Sequence, residues 1–217
     1  MPDKIWKGGN MKMGLPVLII GKSGSGKSAS LRNFDAAGII NVLGKPLPFK
    51  NAPECFVSDE YKRIKPALLK ASKQSIVIDD AGYLMTNQFM KGHSSTGNGN
   101  GIFTFYNDLG DEFWRLIKFV TDQLPAEKIV YFIMHEDKSE SGDIKPKSIG
   151  KMLDEKVCIE GMFTIVLRSI KDGGKYLFKT NSDGLDVCKT PMGMFEEETI
   201  ENDLSKVDNA IREYYNL

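Results

Sequence analysis

Apolar residues in this chain gather in short runs set between glycine-, proline- and acid-rich stretches. Val17-Leu18-Ile19-Ile20, Ile39-Ile40-Asn41-Val42-Leu43, Ser75-Ile76-Val77-Ile78 and Ile129-Val130-Tyr131-Phe132-Ile133-Met134 lack the alternation of a sheet with one wet face. Such runs predict strands buried on both faces, as in a parallel sheet covered by helices. Helical signals fall between them. Ala29 to Phe34 reads as the first turns of a helix ended by Gly38, and Asp59 to Ser72 as a helix interrupted by Pro66. Phe113, Ile117, Val120 and Leu124 recur at helical spacing, with Asp108 as N-cap and Pro125 as stop. Ile200, Leu204, Val207 and Ile211 share one face of a final helix capped by Thr199.

Phe163 to Arg168 and Lys175 to Thr180 predict an antiparallel hairpin turned by Asp172-Gly173-Gly174. Gly44 to Pro53 reads as a loop. So does the part of Met85 to Asn107 around Gly92-His93-Ser94-Ser95-Thr96-Gly97-Asn98-Gly99-Asn100-Gly101, which offers too little apolar surface for a regular element and suggests a lid or contact surface. Residues 1–14 form a polar arm anchored by Ile5-Trp6; an edge strand, an arm onto a neighbour and a tail with one buried Trp all fit it. Residues 15–217 then make one α/β domain: three layers, α/β/α, with a mostly parallel central sheet and a C-terminal antiparallel hairpin.

The first apolar run leads into Gly21-Lys22-Ser23-Gly24-Ser25-Gly26-Lys27-Ser28, a full match to the phosphate-binding pattern G-x-x-x-x-G-K-[ST], followed by Ala29. Glycines let the backbone curl so that its N–H groups face an anion, and a helix start adds partial positive charge. In such a P-loop Lys27 reaches the β- and γ-phosphates and the Ser28 hydroxyl ligates Mg²⁺. About fifty residues on, the strand ending in Asp79-Asp80 reads as a Walker B strand. Asp79 is the metal-side acid and Asp80 a candidate to orient or deprotonate the attacking water. The strand ending in His135 offers a sensor of the γ-phosphate, against the plainer reading of a backbone-bonded strand-end histidine.

Composition narrows this further. Among 217 residues, 29 basic and 29 acidic side chains cancel, which argues against whole-surface nucleic-acid binding but not against a local basic groove. Lys138, Lys145, Lys147 and Lys151 mark such a groove in Asp137 to Lys151, although Asp137, Glu140 and Asp143 offset them. Arginine finger candidates are few: Arg32, Arg63, Arg115, Arg168 and Arg212. Cys55, Cys158 and Cys188 fit no zinc pattern or disulfide framework and read as buried thiols of a reducing compartment. The sequence has neither an apolar run of membrane-spanning length nor a signal-peptide pattern, so a cytoplasmic protein is expected.

The order of P-loop, Asp79-Asp80 strand, His135 strand, lysine-bearing loop, hairpin and Lys189-Thr190-Pro191-Met192-Gly193-Met194-Phe195 resembles the compact RecA-like P-loop ATPases of bacteriophages, of the AAA-domain or single-strand annealing and recombination type. The resemblance spans about Leu15 to Phe195, is strongest at the P-loop, and implies that the last segment closes the sheet. It implies an ATP- and Mg²⁺-dependent hydrolase acting on single-stranded DNA in an infected host cell, working as a homo-oligomer with nucleotide between subunits. It places the DNA-binding loop at Glu136 to Gly150 and makes Lys189 a cation acting on the neighbour's nucleotide, although Thr190 and Pro191 stand where relatives have Asn and Arg. By the same analogy Asp59 or Glu60 competes with Asp80 as catalytic carboxylate. Two other classes stay open: an ATP-gated loader of a helicase or recombinase, and a small-molecule kinase, the latter disfavoured because the loop after Gly92 has no arginine.

Overall fold

All four apolar runs contribute strands to one mixed sheet in the computed structural model, which describes residues 13–95, 100–149 and 157–217. The Ile5-Trp6 anchor, Thr96 to Gly99 of the predicted loop, and Lys151 lie outside the described residues. Among the described residues the sheet has nine strands: β1 (Leu15–Gly21), β2 (Ala37–Asn41), β3 (Phe56–Val57), β4 (Ser75–Asp79), β5 (Ile129–Lys138), β6 (Ile144–Pro146), β7 (Ile165–Asp172), β8 (Lys175–Lys179) and β9 (Thr199–Glu201). Their order is β3-β2-β4-β5-β1-β7-β8-β9, with β6 paired to the end of β5. From β3 to β7 neighbours run parallel; β8 and β9 add antiparallel.

Period-two alternation sorts the core into two layers. Leu18 and Ile20 of β1 face the layer of α1 (Tyr61–Lys70), α2 (Tyr83–Gly92) and α3 (Asn100–Gln123), where Ile64, Leu68, Leu84, Leu116 and Val120 are fully buried. Val17 and Ile19 face the opposite layer, built from Leu31, Phe34 and the α4 (Leu204–Tyr215) residues Leu204, Val207 and Ile211. Each fully buried aliphatic side chain stabilises by about 1.5–3 kcal/mol, so burial of the strand faces dominates the fold.

Several local expectations are corrected. Ala29 to Phe34 does not begin a long α-helix; Ser28–Asn33 is a six-residue 3₁₀-helix, and Gly38 lies inside β2. The chain therefore makes a short crossover, and α4 fills the layer that a longer helix would occupy. Pro66 does not interrupt α1, because burial of Tyr61, Ile64 and Leu68 outweighs its cost of about 3 kcal/mol. The stretch Met85 to Asn107 is largely helical: α2 runs to Gly92 and α3 starts at Asn100, well before Asp108. Stacking of Phe89 on His93, Phe105 and Tyr106 supplies contacts that the composition concealed. The last helix is capped by Asp203, which accepts from Ser205 N, whereas Thr199 begins β9. It is β9, not Lys189 to Phe195, that forms the sheet edge. All three cysteines are free, and only Cys188 is buried.

Candidate functional site

The order of strands reverses at β1: the chain passes from β1 to β2 on one side, and only after β6 does it add β7 on the other. The crevice beyond the C-terminal ends of strands at such a reversal is the usual ligand position in open α/β sheets. Gly21 to Ser28 lies there, at the end of β1. Gly24 and Gly26 have φ of 77° and 100°, left-handed values that disfavour side chains. A Cβ on Gly26 would lie 2.7 Å from Cδ1 of Tyr176, and one on Gly21 would lie 2.6 Å from Ser169 O. Ser169 Oγ donates to Ser25 O at 2.7 Å, and Asn202 Nδ2 donates to Ser169 Oγ at 3.1 Å. Strands β7 to β9 thus hold the loop from one side. Lys22, Ser23 and Gly24 stay exposed, while Ala29 is half-buried at the start of the 3₁₀-helix.

Lys27 is 6% exposed, and its Nζ donates to Gly21 O at 2.8 Å and Lys22 O at 2.7 Å. Burial lowers its pKa to about 8, opposed by the charges of Asp80, Asp79 and Glu136. Ser28 Oγ donates to Asp79 Oδ1 at 2.7 Å. Burial raises the Asp79 pKa, and the Ser28 hydrogen bond opposes that rise. Its other oxygen, Oδ2, is buried without a hydrogen-bond partner. A Mg²⁺ ion takes one or two carboxylates plus phosphate and water oxygens rather than an all-protein cage. The free Asp79 Oδ2 and the adjacent Ser28 hydroxyl fit that requirement. Among the described residues no group of three or more His, Cys, Asp or Glu stands ready for a metal.

Asp80 has φ 60°, a left-handed conformation uncommon outside glycine, and is 3% exposed. Two features hold it there. Ala81 N donates to Ile133 O at 2.7 Å, and Lys45 Nζ forms an ion pair with Asp80 Oδ2. His135 Nε2 stands 3.7 Å from Asp80 Oδ1. Because β5 lies between β4 and β1, with His135 in register with Gly21, the His135 ring falls between the two halves of the site. Burial, then the Lys27 charge, lowers its pKa against the opposing pull of Asp80, and the net shift favours the neutral ring. No protein-family model matches this chain, and no curated protein matches it.

The remaining candidates are scattered. Glu60 is half-buried beside Lys62 at the start of α1, and Asp59 pairs with Lys91 at 2.6 Å; both line a separate depression with Gln88 and Glu112. That depression lies by β3, which is separated from β1 by β2, β4 and β5. Lys189 exchanges backbone hydrogen bonds with Val166, near the start of β7, and its charge acts on Cys158. Residues Glu136 to Lys147 are a β5–β6 hairpin rather than an irregular loop.

Two site features escaped sequence reading. Lys45 sits in a Gly/Pro-marked loop where no periodicity flags it. The Glu136 carboxylate, 3% exposed, accepts from Arg168 Nε at 2.7 Å and Nη2 at 2.9 Å. Arg168 also approaches Asp186, which pairs with Lys179, so a buried charge network adjoins the loop. A cavity of about 370 Å³ opens beside these groups, lined by Lys22, Ser23, Tyr83, Thr86, His135 and Lys147 among others.

Proposed function

We propose that the chain is a Mg²⁺-dependent ATP-binding and hydrolysing protein of the RecA-like P-loop type. The observation that carries this reading is the convergence of Lys27, Ser28 and Asp79, with Ser28 bonded to an acid fifty-one positions away. Lys27 supplies the charge for the terminal phosphates, and Ser28 with Asp79 would hold Mg²⁺. Bound Mg²⁺ would neutralise phosphate charge. Lys27 Nζ gives up the carbonyls of Gly21 and Lys22 when anionic oxygens offer a stronger partner. Asp80, just past the end of β4, and His135, within the adjacent β5, would orient a water between them, with Asp80 Oδ1 as proton acceptor.

Single-stranded DNA is the proposed macromolecular partner, on the strength of the family resemblance and of exposed Lys138 and Lys147 on the hairpin at the same end of the sheet. A homo-oligomer with nucleotide at its interface, acting in phage recombination or replication in the host cytoplasm, completes the proposal. The deciding measurement is ATP turnover with and without a single-stranded oligonucleotide across a salt series. Turnover that rises with DNA, and loses that rise as salt increases, supports it; no turnover under any condition refutes hydrolysis.

One observation favours a second reading. Asp80 is held by Lys45, Asp79 is bonded to Ser28 on the metal side, and Glu60 lies in a separate depression, an arrangement that would keep hydrolysis slow. An ATP-gated loader of a helicase or recombinase, with slow hydrolysis, accommodates that arrangement. Nucleotide-dependent partner capture without appreciable turnover would select it.

A further inference from the structure

The Lys45–Asp80 contact bears on which nucleotide the site retains. Lys45 leaves the β2–β3 connection to reach an almost fully buried carboxylate, while its own side chain stays 48% exposed. Its ammonium comes close enough to Lys27 to disfavour the charge there, while Asp80 and Asp79 favour the charge of both lysines. Two lysines and two aspartates of balanced formal charge therefore gather beyond the ends of β1 and β4, beside His135.

Neutrality of this kind is provisional. A divalent cation at Asp79 and Ser28 would compete for the same carboxylates that balance Lys45. A displaced ammonium beside a phosphate chain finds anionic oxygens within the same enclosure. Lys27 belongs to the loop itself and serves diphosphate and triphosphate alike. Lys45 does not belong to the loop: it pairs with Asp80, next to Asp79, and because a metal held by Asp79 and Ser28 would bridge the β- and γ-phosphates, Lys45 would meet the outer end of the phosphate chain.

We propose that Lys45 is a γ-phosphate contact supplied by the same chain, which exchanges Asp80 for the terminal phosphate and so makes the site prefer nucleoside triphosphate over diphosphate. This rests on the nucleotide-binding reading given above and deepens it. The exchange frees Asp80 at the moment the triphosphate is in place, which couples occupancy to readiness of the carboxylate. Lys45 is thereby a specificity-determining residue that no sequence motif marks.

The test is equilibrium binding, by calorimetry in Mg²⁺ buffer, of a slowly hydrolysed ATP analogue and of ADP to the wild type, Lys45→Met, Lys45→Arg and Lys27→Ala. The proposal expects Lys45→Met to weaken the ATP analogue by about tenfold, equivalent to about 1.4 kcal/mol, while ADP stays within about twofold. Lys45→Arg keeps most of the preference because it keeps the charge. Equal losses for both nucleotides would make Lys45 a structural prop, and no loss for either would make it only the counter-ion of Asp80; each overturns the proposal. Loss of the preference in Lys45→Arg to the extent seen in Lys45→Met, with thermal unfolding unchanged, overturns it too. A wild type that binds neither nucleotide would instead remove the underlying reading, and Lys27→Ala, losing both ligands, separates that case from failure of Lys45 alone.

Discussion

Arg168 grips Glu136 through two parallel hydrogen bonds of 2.7 and 2.9 Å, immediately beside the glycine-rich loop. The Glu136 side chain is 3% exposed, and Asp186 on the other flank of Arg168 is 0% exposed. Removing the guanidinium leaves two buried carboxylates short of charge. Arg168→Ala is therefore expected to cost about 3–5 kcal/mol in urea unfolding, the scale for breaking a buried pair from one side. Replacing both partners, as in Arg168→Met with Glu136→Gln, recovers much of that loss. A single variant no less stable than the double one would contradict this account.

Lys27 gives a pH signature. Its folded pKa is about 8 against an ordinary value of 10.5. Between these values the unfolded chain holds more protons than the folded one, so stability from this group rises with pH across that window. Wild type should gain about 1–2 kcal/mol on Lys27→Met between pH 7.5 and 9.5, measured by denaturant unfolding without nucleotide. A flat difference would show that Lys27 is less buried in solution than the structure has it.

Asp79 behaves in the opposite sense. Its folded pKa is raised by burial, so the folded state holds the extra proton just above the ordinary carboxylate range and stability falls as pH rises through the raised value. Asp79→Asn keeps an acceptor for Ser28 and removes the buried charge. It should be at least as stable as wild type at pH 7 without metal, yet lose the Mg²⁺ dependence of nucleotide binding. Calorimetric titrations with and without Mg²⁺ read both effects, and full retention of the Mg²⁺ response would displace Asp79 from the metal side.

Gly26 tests the loop conformation. With φ 100° and a prospective Cβ 2.7 Å from the Tyr176 ring, Gly26→Ala meets both backbone strain and a clash. A loss of about 1–3 kcal/mol is expected, with nucleotide binding abolished. Adding Tyr176→Ala relieves the clash but not the strain, so recovery should be partial. Complete rescue in thermal unfolding would place the whole penalty on the ring.

What the sequence made legible follows from range. Runs such as Val17 to Ile20 and Ile129 to Met134 announce strands because burial on both faces needs no partner to be specified. The loop was legible because its glycines answer to local backbone geometry. Lys45 and Glu136 were not, because their roles depend on which strands adjoin, and β5 is brought between β1 and β4 only by the tertiary fold. Pro66 misled because propensity is local whereas the packing of Ile64 and Leu68 is not. Asp59 and Glu60 were plausible carboxylates in sequence, but the sheet order carries them to an outer strand.

The short 3₁₀ turn after the loop has a consequence for biogenesis. Leu31 and Phe34 on and beside that turn are covered by Leu204, Val207 and Ile211, while Arg32 and Asn33 bond to Asn202 and Asp203. The glycine-rich loop is made early in translation, yet the surfaces that seat it emerge only with α4. A nascent chain cannot lock Gly21 to Ser28 in place until residues near Tyr215 have left the ribosome. Ligand present during synthesis would then find a competent pocket only at the close of folding, so a ribosome-stalled chain lacking α4 should neither retain nucleotide nor resist protease around the loop.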